Sequence, residues 1–306
     1  MNSSQLSCLW VSLSTLVLFS LPQLATAQDA SRNADPVPEI NKITVKGAGT
    51  FGGDVDMVTQ VFKPDGTAPF PVLLFSHGRP GDAFDRTRLK HPVPLGHVRY
   101  WLQKGYALVA PIRPGYGETG GSDRENAGSR YDSFGDCTSK ADHASTANVS
   151  KTAMLAAIDW VRTQSWARID HILLEGQSVG GLTTVALCAT NPPGILACIN
   201  FAGGSGGSPT SRGKVCNPEV LNALMSEWGK STRLRNIWFY APNDSYWGEE
   251  TPKQWHQAFA AGGSPTTFIG TTAVPGADGH SLLYRGGKMW SIPLNDWLKK
   301  NGLQLR

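Results

Sequence analysis

The sequence predicts an α/β fold with a mostly parallel central sheet of about eight strands flanked by helices. Apolar runs that are typical of strands alternate along the chain with patterns that are typical of helices. The strand runs are short and nearly continuous, as at 71–76 (PVLLFS), which indicates strands buried on both faces. Two connections that follow strands are much longer than the usual few residues, and such loops tend to carry function.

The first elements are expected to form an antiparallel pair ahead of the parallel strands. Residues 55–62 alternate in part, and they lie between the segment 43–45 and the turn Pro64-Asp65-Gly66, as in a hairpin or meander. The chain then continues with a strand at 71–76, a helix at 98–103 that leads to Gly105, and a strand at 106–110.

The later part of the chain repeats a strand followed by a helix. Apolar side chains recur along one side of the helix at 149–160, namely Met154, Leu155, Ile158 and Val161. The same spacing marks the last helix, which ends at Gly302, with Trp290, Leu294, Trp297 and Leu298. The remaining predicted strands are 172–175, 195–201, 236–241 and 266–269, and the remaining predicted helices are 179–189 and 252–260.

The two long connections cover residues 111–148 and 202–235. Both follow strands directly, so we expect both at the edge where the carboxyl ends of the strands meet and where ligands of such sheets bind. Residues 219–228, within the second connection, are expected to form a short helix that caps this edge.

The N-terminal segment resembles a signal peptide. Residues 1–27 contain no Asp, Glu, Lys or Arg, and an apolar run at 9–21 precedes Ala25-Thr26-Ala27, the small-x-small pattern that signal peptidase recognises. The run is short for a membrane span, so no stable membrane anchor is expected and an uncleaved anchor is the alternative. We therefore predict cleavage near Ala27, a secreted or periplasmic protein, and a single domain at 28–306.

Charge and cysteine content limit the classes of function that the sequence allows. The net charge of +4 is dispersed, and it gives no reason to expect binding to nucleic acid. Cleavage near Ala27 would leave four cysteines, which allow three pairings, and no spacing suggests a metal site. We favour Cys188–Cys198 and Cys137–Cys216, with four buried free thiols as the alternative.

Two serines lie in G-x-S-x-G patterns, Ser178 in GQSVG and Ser205 in GGSGG. Ser178 follows an apolar strand and opens a helical pattern, and this is the context of a nucleophile held on a sharp strand-to-helix turn. Ser205 also follows a strand, but the residues after it (GGSPTSRG) cannot begin a helix promptly. The sequence therefore favours Ser178 as the nucleophile.

A nucleophilic serine needs a base and an acid that orients the base, and in this kind of sheet they follow in the order Ser, Asp or Glu, His. Asp244 lies just past the strand at 236–241, and His280 lies in a Gly-rich loop past the last strand. The rival base His256 falls within a helical pattern. The rival acid Asp278 is only two residues from His280, so it is poorly placed to orient that ring.

The remaining site predictions concern the oxyanion hole and the substrate pocket. The loop His77-Gly78-Arg79-Pro80-Gly81 follows the strand at 71–76, where a backbone donor is expected. Because Pro80 has no N–H, we assign the two donors to the amides of Arg79 and Val179, and an ordinary turn is the alternative. Aromatic residues on the long loops are candidates for the pocket wall or for ordinary loop packing: Tyr116, Trp228 and Trp247.

At these residues the chain resembles the α/β-hydrolase superfamily, and more closely its dienelactone-hydrolase-like and prolyl-oligopeptidase-like branches. It departs from dienelactone hydrolases in having Ser178 where they place Cys. The motifs that carry the resemblance are Ser76-His77-Gly78, Arg113-Pro-Gly-Tyr-Gly-Glu-Thr-Gly-Gly121, Gly176-Gln-Ser-Val-Gly-Gly181, Ala241-Pro-Asn-Asp244 and Asp278-Gly-His280.

The resemblance implies a serine hydrolase that cleaves a carboxylic ester or lactone through an acyl-enzyme, without a metal or organic cofactor. Its expected partner is a small acyl substrate, and the oligomeric state is left open. A small serine peptidase or amidase is the alternative within the same chemistry. A binding module on an inactive hydrolase scaffold is the alternative from another class of function.

Overall fold

The computed structural model describes residues 35–304, and within them it contains a sheet of eight strands. The predicted signal peptide at 1–27 lies outside the described residues and stays a prediction. Residues from Pro36 onward form one compact unit. Among the described residues no helix is both long and apolar enough to cross a membrane.

The sheet is parallel except at one edge. The strands are β1 (Glu39–Val45), β2 (Val55–Phe62), β3 (Phe70–Ser76), β4 (Ala107–Pro111), β5 (Ala167–Gln177), β6 (Ile195–Phe201), β7 (Arg235–Tyr240) and β8 (Thr266–Gly270). Their spatial order is β1-β2-β4-β3-β5-β6-β7-β8, and β2 is antiparallel to both β1 and β4. The hairpin predicted at the start of the chain is therefore present, and the mostly parallel sheet is confirmed.

Helices cover both faces of the sheet because alternate residues of its strands are apolar on both sides. Leu73 of β3 lies in an apolar cluster with Trp101 and Leu294 on one face, and Leu74 lies in a cluster with Ile158 on the other. The helices are α1 (Ala83–Thr87), α2 (Leu95–Gln103), α3 (His143–Arg162), α4 (Val179–Cys188), α5 (Pro218–Ser231), α6 (Glu250–Ala261), α7 (Leu282–Arg285) and α8 (Lys288–Lys300).

Helix α3 begins six residues before its predicted start. Asp142 caps it by accepting a hydrogen bond from the backbone N–H of Ser145 at 2.8 Å. The first turns bury small and hydroxyl side chains, and Ser150 bonds to Thr183 of α4 at 2.6 Å. Such residues pack closely against a neighbouring helix but add no apolar periodicity, and so the sequence pattern missed them.

The helix expected at 219–228 does not cap the site. Helix α5 is longer than predicted, and its Leu221 and Met225 are buried in one apolar cluster with Trp238 of β7 and Phe259 of α6. It therefore covers a face of the sheet as a crossover helix between β6 and β7, and the predicted cap was wrong. The sequence correctly indicated a helix with an apolar side, but it did not indicate the surface on which that side packs.

Both favoured cysteine pairs are joined in the structure, Cys137–Cys216 and Cys188–Cys198. The second pair links the end of α4 to β6. The first links the two long connections and closes a loop with a sequence separation of 79 residues. Restricting so long a loop in the unfolded chain stabilises the fold by about 4 kcal/mol.

Candidate active site

Ser178 lies on the turn between β5 and α4, at the carboxyl edge of the sheet. Its backbone has φ 56° and ψ −124°, a conformation that side-chain-bearing residues rarely adopt. The turn is tight, since a Cβ on Gly180 would overlap the carbonyl oxygens of Ser76 and His77. Glycine is therefore required at position 180, two residues after the serine, by a close approach of backbone to backbone.

The structure brings the three predicted triad side chains together. Ser178 Oγ lies 3.0 Å from His280 Nε2, and His280 Nδ1 lies 3.0 Å from Asp244 Oδ2. Asp244 follows β7 and His280 follows β8, so three strand ends converge on one point.

Asp244 is arranged to select one tautomer of His280. The residue is 3% exposed, and its Oδ1 accepts hydrogen bonds from the backbone amides of Tyr246 at 2.8 Å and Trp247 at 3.3 Å. A carboxylate can only accept, so it holds the ring proton on Nδ1 of His280. The lone pair on Nε2 is then free to accept the hydroxyl proton of Ser178.

Asp278, the rival acid, supports the loops and does not contact the His280 ring. Its Oδ1 accepts the backbone N–H of His280 at 2.8 Å and that of Ser245 at 3.0 Å. Burial raises the pKa of Asp278, but the hydrogen bonds from Ser245 and His280 outweigh it and lower the pKa below its usual value. The carboxylate thus ties the loop of His280 to the loop of Asp244.

Asn243 is a positioning residue that the sequence analysis missed. Its Nδ2 donates to the carbonyl of Ala277 at 2.9 Å, and its Oδ1 accepts the backbone N–H of Val274 at 3.0 Å. These bonds join the end of β7 to the chain that leads to His280. Its place beside Asp244 in the motif APND was the available signal, but we used that motif only to locate the acid.

Two aromatic side chains flank the ring of His280. The ring of Tyr246 stacks on His280 with centroids 4.1 Å apart, and Trp247 meets it edge-on at 5.4 Å. Trp247 is itself fixed by a hydrogen bond of 2.7 Å from its Nε1 to the carbonyl of Ala202. Trp247 was a predicted pocket residue, whereas Tyr246 was missed because nothing in the sequence indicates which way a loop side chain points.

The loop after β3 is held in place by His77. Its Nε2 accepts the backbone N–H of Arg113 at 3.1 Å, so its proton is on Nδ1, which donates to the carbonyl of Gly78 at 2.7 Å. Burial lowers the pKa of His77 well below its ordinary value, and the charge of Arg113 lowers it further. The neutral ring therefore fixes the plane of the peptide that joins Gly78 to Arg79.

That same peptide carries one of the two predicted oxyanion donors, the N–H of Arg79. A Cβ on Gly78 would lie 3.3 Å from the Cβ of Ser178, which places the loop against the serine. The other predicted donor, the amide of Val179, is the first in α4, where helical amides have no intrahelical acceptor. Within residues 35–304 neither amide donates to a protein acceptor, and their role stays a prediction.

Two cavities adjoin Ser178. The larger, of about 690 Å³, is lined by Val179, Ser205 and Trp247 among others. The smaller, of about 410 Å³, is lined by His280 and by apolar groups that include Leu89 and Tyr284. Ser178 lines both cavities, so a substrate could extend on both sides of its hydroxyl.

Two of the three predicted pocket aromatics do not line either cavity. Tyr116 is fully buried, and its hydroxyl donates to Glu125 at 2.7 Å beneath the site. Glu125 also pairs with the buried Arg113 through bonds of 2.6 and 2.7 Å. Trp228, on α5, packs on the apolar cluster that the helix covers. Tyr116 and Trp228 therefore contribute to packing, which was the alternative to a place on the pocket wall.

Within the described residues, neither rejected candidate makes a side-chain hydrogen bond to Ser178, His280 or Asp244. Ser205 Oγ is 2.7 Å from Nδ1 of His143 and does not contact His280. His256 lies on α6, where Nε2 is 2.9 Å from the hydroxyl of Thr266 and the ring packs between Trp238 and Phe268. The preference for Ser178 and His280 as nucleophile and base stays a prediction.

The position of His256 predicts a loss of stability in mild acid. Burial lowers its pKa to about 4, below the ordinary 6.5. Between these values the unfolded chain binds a proton that the folded chain does not, so the free energy of unfolding falls as the pH falls. We expect urea unfolding to show that wild type loses about 1 kcal/mol more than His256→Gln between pH 7 and pH 5, allowing for partial exposure. Equal losses in the two proteins would contradict this assignment.

The sheet order, the strained serine turn and the converging Ser, His and Asp side chains define an α/β-hydrolase of the serine hydrolase class. The particular family follows from the sequence profile of the X-Pro dipeptidyl-peptidase (S15) family, which matches residues 52–262. This match spans more than half of the chain, and the chain belongs to that family. The predicted superfamily is thereby confirmed, and the family itself is one that the sequence analysis did not name.

Solved structures with the same fold include both esterases and peptidases. An esterase from Pyrococcus furiosus has a TM-score of 0.58 and 14% identity, over 90% of this chain and 95% of that chain. The 2,6-dihydroxy-pseudo-oxynicotine hydrolase has a TM-score of 0.57 and 15% identity, over 91% and 71%. Dipeptidyl peptidase 4 from Porphyromonas gingivalis has a TM-score of 0.58 and 13% identity, over 92% and 38%.

At these identities the likeness shows the fold alone. The chain spans little more than a third of the Porphyromonas gingivalis peptidase but nearly all of the Pyrococcus furiosus esterase. A comparison with curated proteins gave no match.

Proposed function

We propose that this protein hydrolyses carboxylic esters by acyl transfer to Ser178. The observation that carries the proposal is the pair of contacts that join Ser178 Oγ to His280 Nε2 and His280 Nδ1 to Asp244, each at 3.0 Å. A hydroxyl, a base and an orienting acid at these distances form the unit that activates a serine.

In the first half of the reaction Ser178 Oγ attacks the ester carbon while His280 Nε2 takes the hydroxyl proton. Asp244 stabilises the positive ring that results. The negative charge on the carbonyl oxygen is received by the amides of Arg79 and Val179, whose donors are set before the substrate arrives. His280 then gives its proton to the leaving alkoxide, and the acyl group remains on Ser178.

In the second half water replaces the alcohol. His280 removes a proton from the water, and the hydroxide equivalent attacks the acyl carbon. The collapse of the second intermediate returns the proton to Ser178 and releases the acid. The net change is one ester and one water to one acid and one alcohol, and Ser178 and His280 end in the protonation states in which they began.

The charges around the larger cavity favour an ester over the amine-bearing substrate of a dipeptidyl-peptidase. Such a peptidase must bind the free ammonium group of its substrate. A buried carboxylate that has no cationic partner in the protein is suited to this. Of the carboxylates that line this cavity in the described chain, Glu125 is already paired with Arg113, and Asp82 and Asp85 are exposed to solvent. Exposed carboxylates contribute little to such binding.

Hydrolysis of an amide remains the second candidate, because the family match is to a peptidase family. The test is a panel of p-nitrophenyl esters of graded acyl length assayed beside dipeptidyl and aminoacyl p-nitroanilides that include Xaa-Pro. We expect kcat/KM to be at least about 10³ higher for the best ester than for the best anilide. Preferred cleavage of Xaa-Pro anilides would overturn the ester assignment and leave the triad in place.

We also propose that the protein is exported. Two disulfides are typical of proteins that fold in an oxidising compartment, and the residues at 1–27 resemble a signal peptide. Mass spectrometry of the extracellular or periplasmic protein should find an N-terminus near Gln28 and no free thiol. Alkylation of all four remaining cysteines without a reductant would contradict the disulfides, and an intact N-terminus would contradict cleavage.

A further inference from the structure

The second G-x-S-x-G motif places Ser205 beside the nucleophile. Ser205 is 3% exposed, and it lines the larger cavity together with Ser178. The backbone N–H of the preceding residue, Gly204, donates to the carbonyl of Ser178 at 3.2 Å. The hydroxyl of Ser205 is thus held at a constant position relative to the serine turn.

The hydrogen-bond direction at Ser205 is determined by His143. Nε2 of this ring lies 2.9 Å from the carbonyl oxygen of Cys216, which can only accept, so the ring proton is on Nε2. Burial lowers the pKa of His143, which keeps the ring neutral. Nδ1 therefore accepts, and Ser205 Oγ donates its only proton to it at 2.7 Å.

Because its proton is committed, Ser205 presents only lone pairs to the cavity. It can accept a hydrogen bond from a ligand but cannot donate one. The support behind it is rigid, since Cys216 is bonded to Cys137 and its backbone N–H donates to Gly206 at 3.0 Å. A hydroxyl that can accept but cannot donate distinguishes ligands that carry a hydrogen-bond donor from ligands that lack one.

The two cavities can be assigned to the two halves of an ester. The leaving oxygen must lie within reach of His280, because that ring supplies its proton. His280 lines the smaller cavity and not the larger, so the alcohol belongs in the smaller one. The acyl group then extends into the larger cavity, past Val179 and towards Ser205.

We infer that Ser205 is a specificity-determining residue that accepts a hydrogen bond from an O–H or amide N–H group on the acyl half of the substrate. The inference rests on the proposed ester hydrolysis at Ser178. It defines the substrate class as esters of hydroxylated or amide-bearing acids. The alcohol half is assigned to the smaller cavity, whose wall combines apolar groups such as Leu89 and Pro92 with polar ones such as Gln177 and Ser281.

The test compares esters that differ only in the donor. The first pair is p-nitrophenyl 3-hydroxybutanoate against the butanoate, and the second is p-nitrophenyl 3-acetamidopropanoate against 5-oxohexanoate, in which CH₂ replaces N–H. In wild type we expect kcat/KM to be about fivefold to tenfold higher for the donor-bearing ester of at least one pair. In Ser205→Ala this ratio should fall to about one, since the acceptor is gone.

Each ratio is taken within one protein, so a loss of folded enzyme cancels. Ser208→Ala is the matched control, because Ser208 lies on the same cavity wall but bonds to Thr210 at 2.8 Å and not to a histidine. We expect it to keep the wild-type ratio. A ratio near one for both pairs in wild type, or an unchanged ratio in Ser205→Ala, would overturn the inference.

A binding assay separates this inference from the proposed function. Calorimetry with Ser178→Ala and the non-chromogenic ethyl 3-hydroxybutanoate and ethyl butanoate should show the same preference without turnover, and the double variant with Ser205→Ala should lose it. If wild type hydrolyses none of the esters while Ser178→Ala still binds the hydroxylated one more tightly, the proposed function and the assigned substrate class fail, and only the role of Ser205 as a hydrogen-bond acceptor for ligands stands. Equal affinity of Ser178→Ala for both ethyl esters would overturn the inference alone.

Discussion

Replacing Ser178 with alanine should lower kcat for ester hydrolysis by about 10⁶ and leave the fold intact. In the proposed mechanism Ser178 Oγ is both the attacking atom and the site of the acyl-enzyme, so no neighbouring group replaces it. His280→Ala should fall to a similar level, and the double variant should be little worse, because a nucleophile and its base fail together. The measurement is kcat on the best p-nitrophenyl ester, with the unfolding temperature as a check on folding.

His256→Ala is the matched control for His280, since His256 packs on α6 away from the triad contacts. We expect it to keep near-wild-type kcat. Labelling with a fluorophosphonate gives an independent result, and the modified peptide should contain GQSVGG and not GGSGGS. A label on Ser205, or an inactive His256→Ala, would show that the assignment of the triad is wrong even though the fold is right.

Asp244→Asn should lower kcat by about 10⁴ at neutral pH with little change in KM. The asparagine amide would donate to Nδ1 of His280, so the ring proton would move to Nε2, where the base must have a lone pair. Oδ1 of the new side chain could still accept the amides of Tyr246 and Trp247, which hold the loop at 2.8 and 3.3 Å. The readout is the pH profile of kcat/KM, with circular dichroism to confirm the fold.

Asp278→Asn provides the comparison for this prediction. Both bonds that Asp278 makes to backbone amides end on one oxygen, and asparagine retains an oxygen that can accept them. We expect kcat to stay within about tenfold of wild type. If the two substitutions reduced kcat equally, or if Asp278→Asn were the more damaging, Asp278 would be the acid that acts on His280.

Most of the site could be predicted because its parts are local or ordered along the chain. The strand before Ser178 and the helix after it are visible as apolar patterns, and the glycines around it report the tight turn. Asp244 and His280 follow strands that end at the same edge of the sheet, so the order of elements brings them near Ser178 without knowledge of any contact. The cysteine pairs followed from a count of four and from their places along the chain.

Other features were decided by which partner a side chain meets. Tyr116 and Trp228 are aromatic residues in long connections, as Trp247 is, yet only Trp247 lines the cavity beside Ser178. Helix α5 was recognised as a helix, but its apolar side met α6 and the sheet and not the site. An apolar pattern reports that a surface is covered without reporting what covers it.

What the sequence by itself determined is therefore the sheet, the strand ends and the convergence of Ser178, Asp244 and His280 at one edge, because these depend on periodicity and on the order of elements. The direction of side chains in the loops was decided only by the tertiary structure. The contact of Ser205 with His143 is the clearest case, since 62 residues separate the two. Its geometry depends on how two long connections pack and on the disulfide that joins them, and no local pattern encodes such a distance.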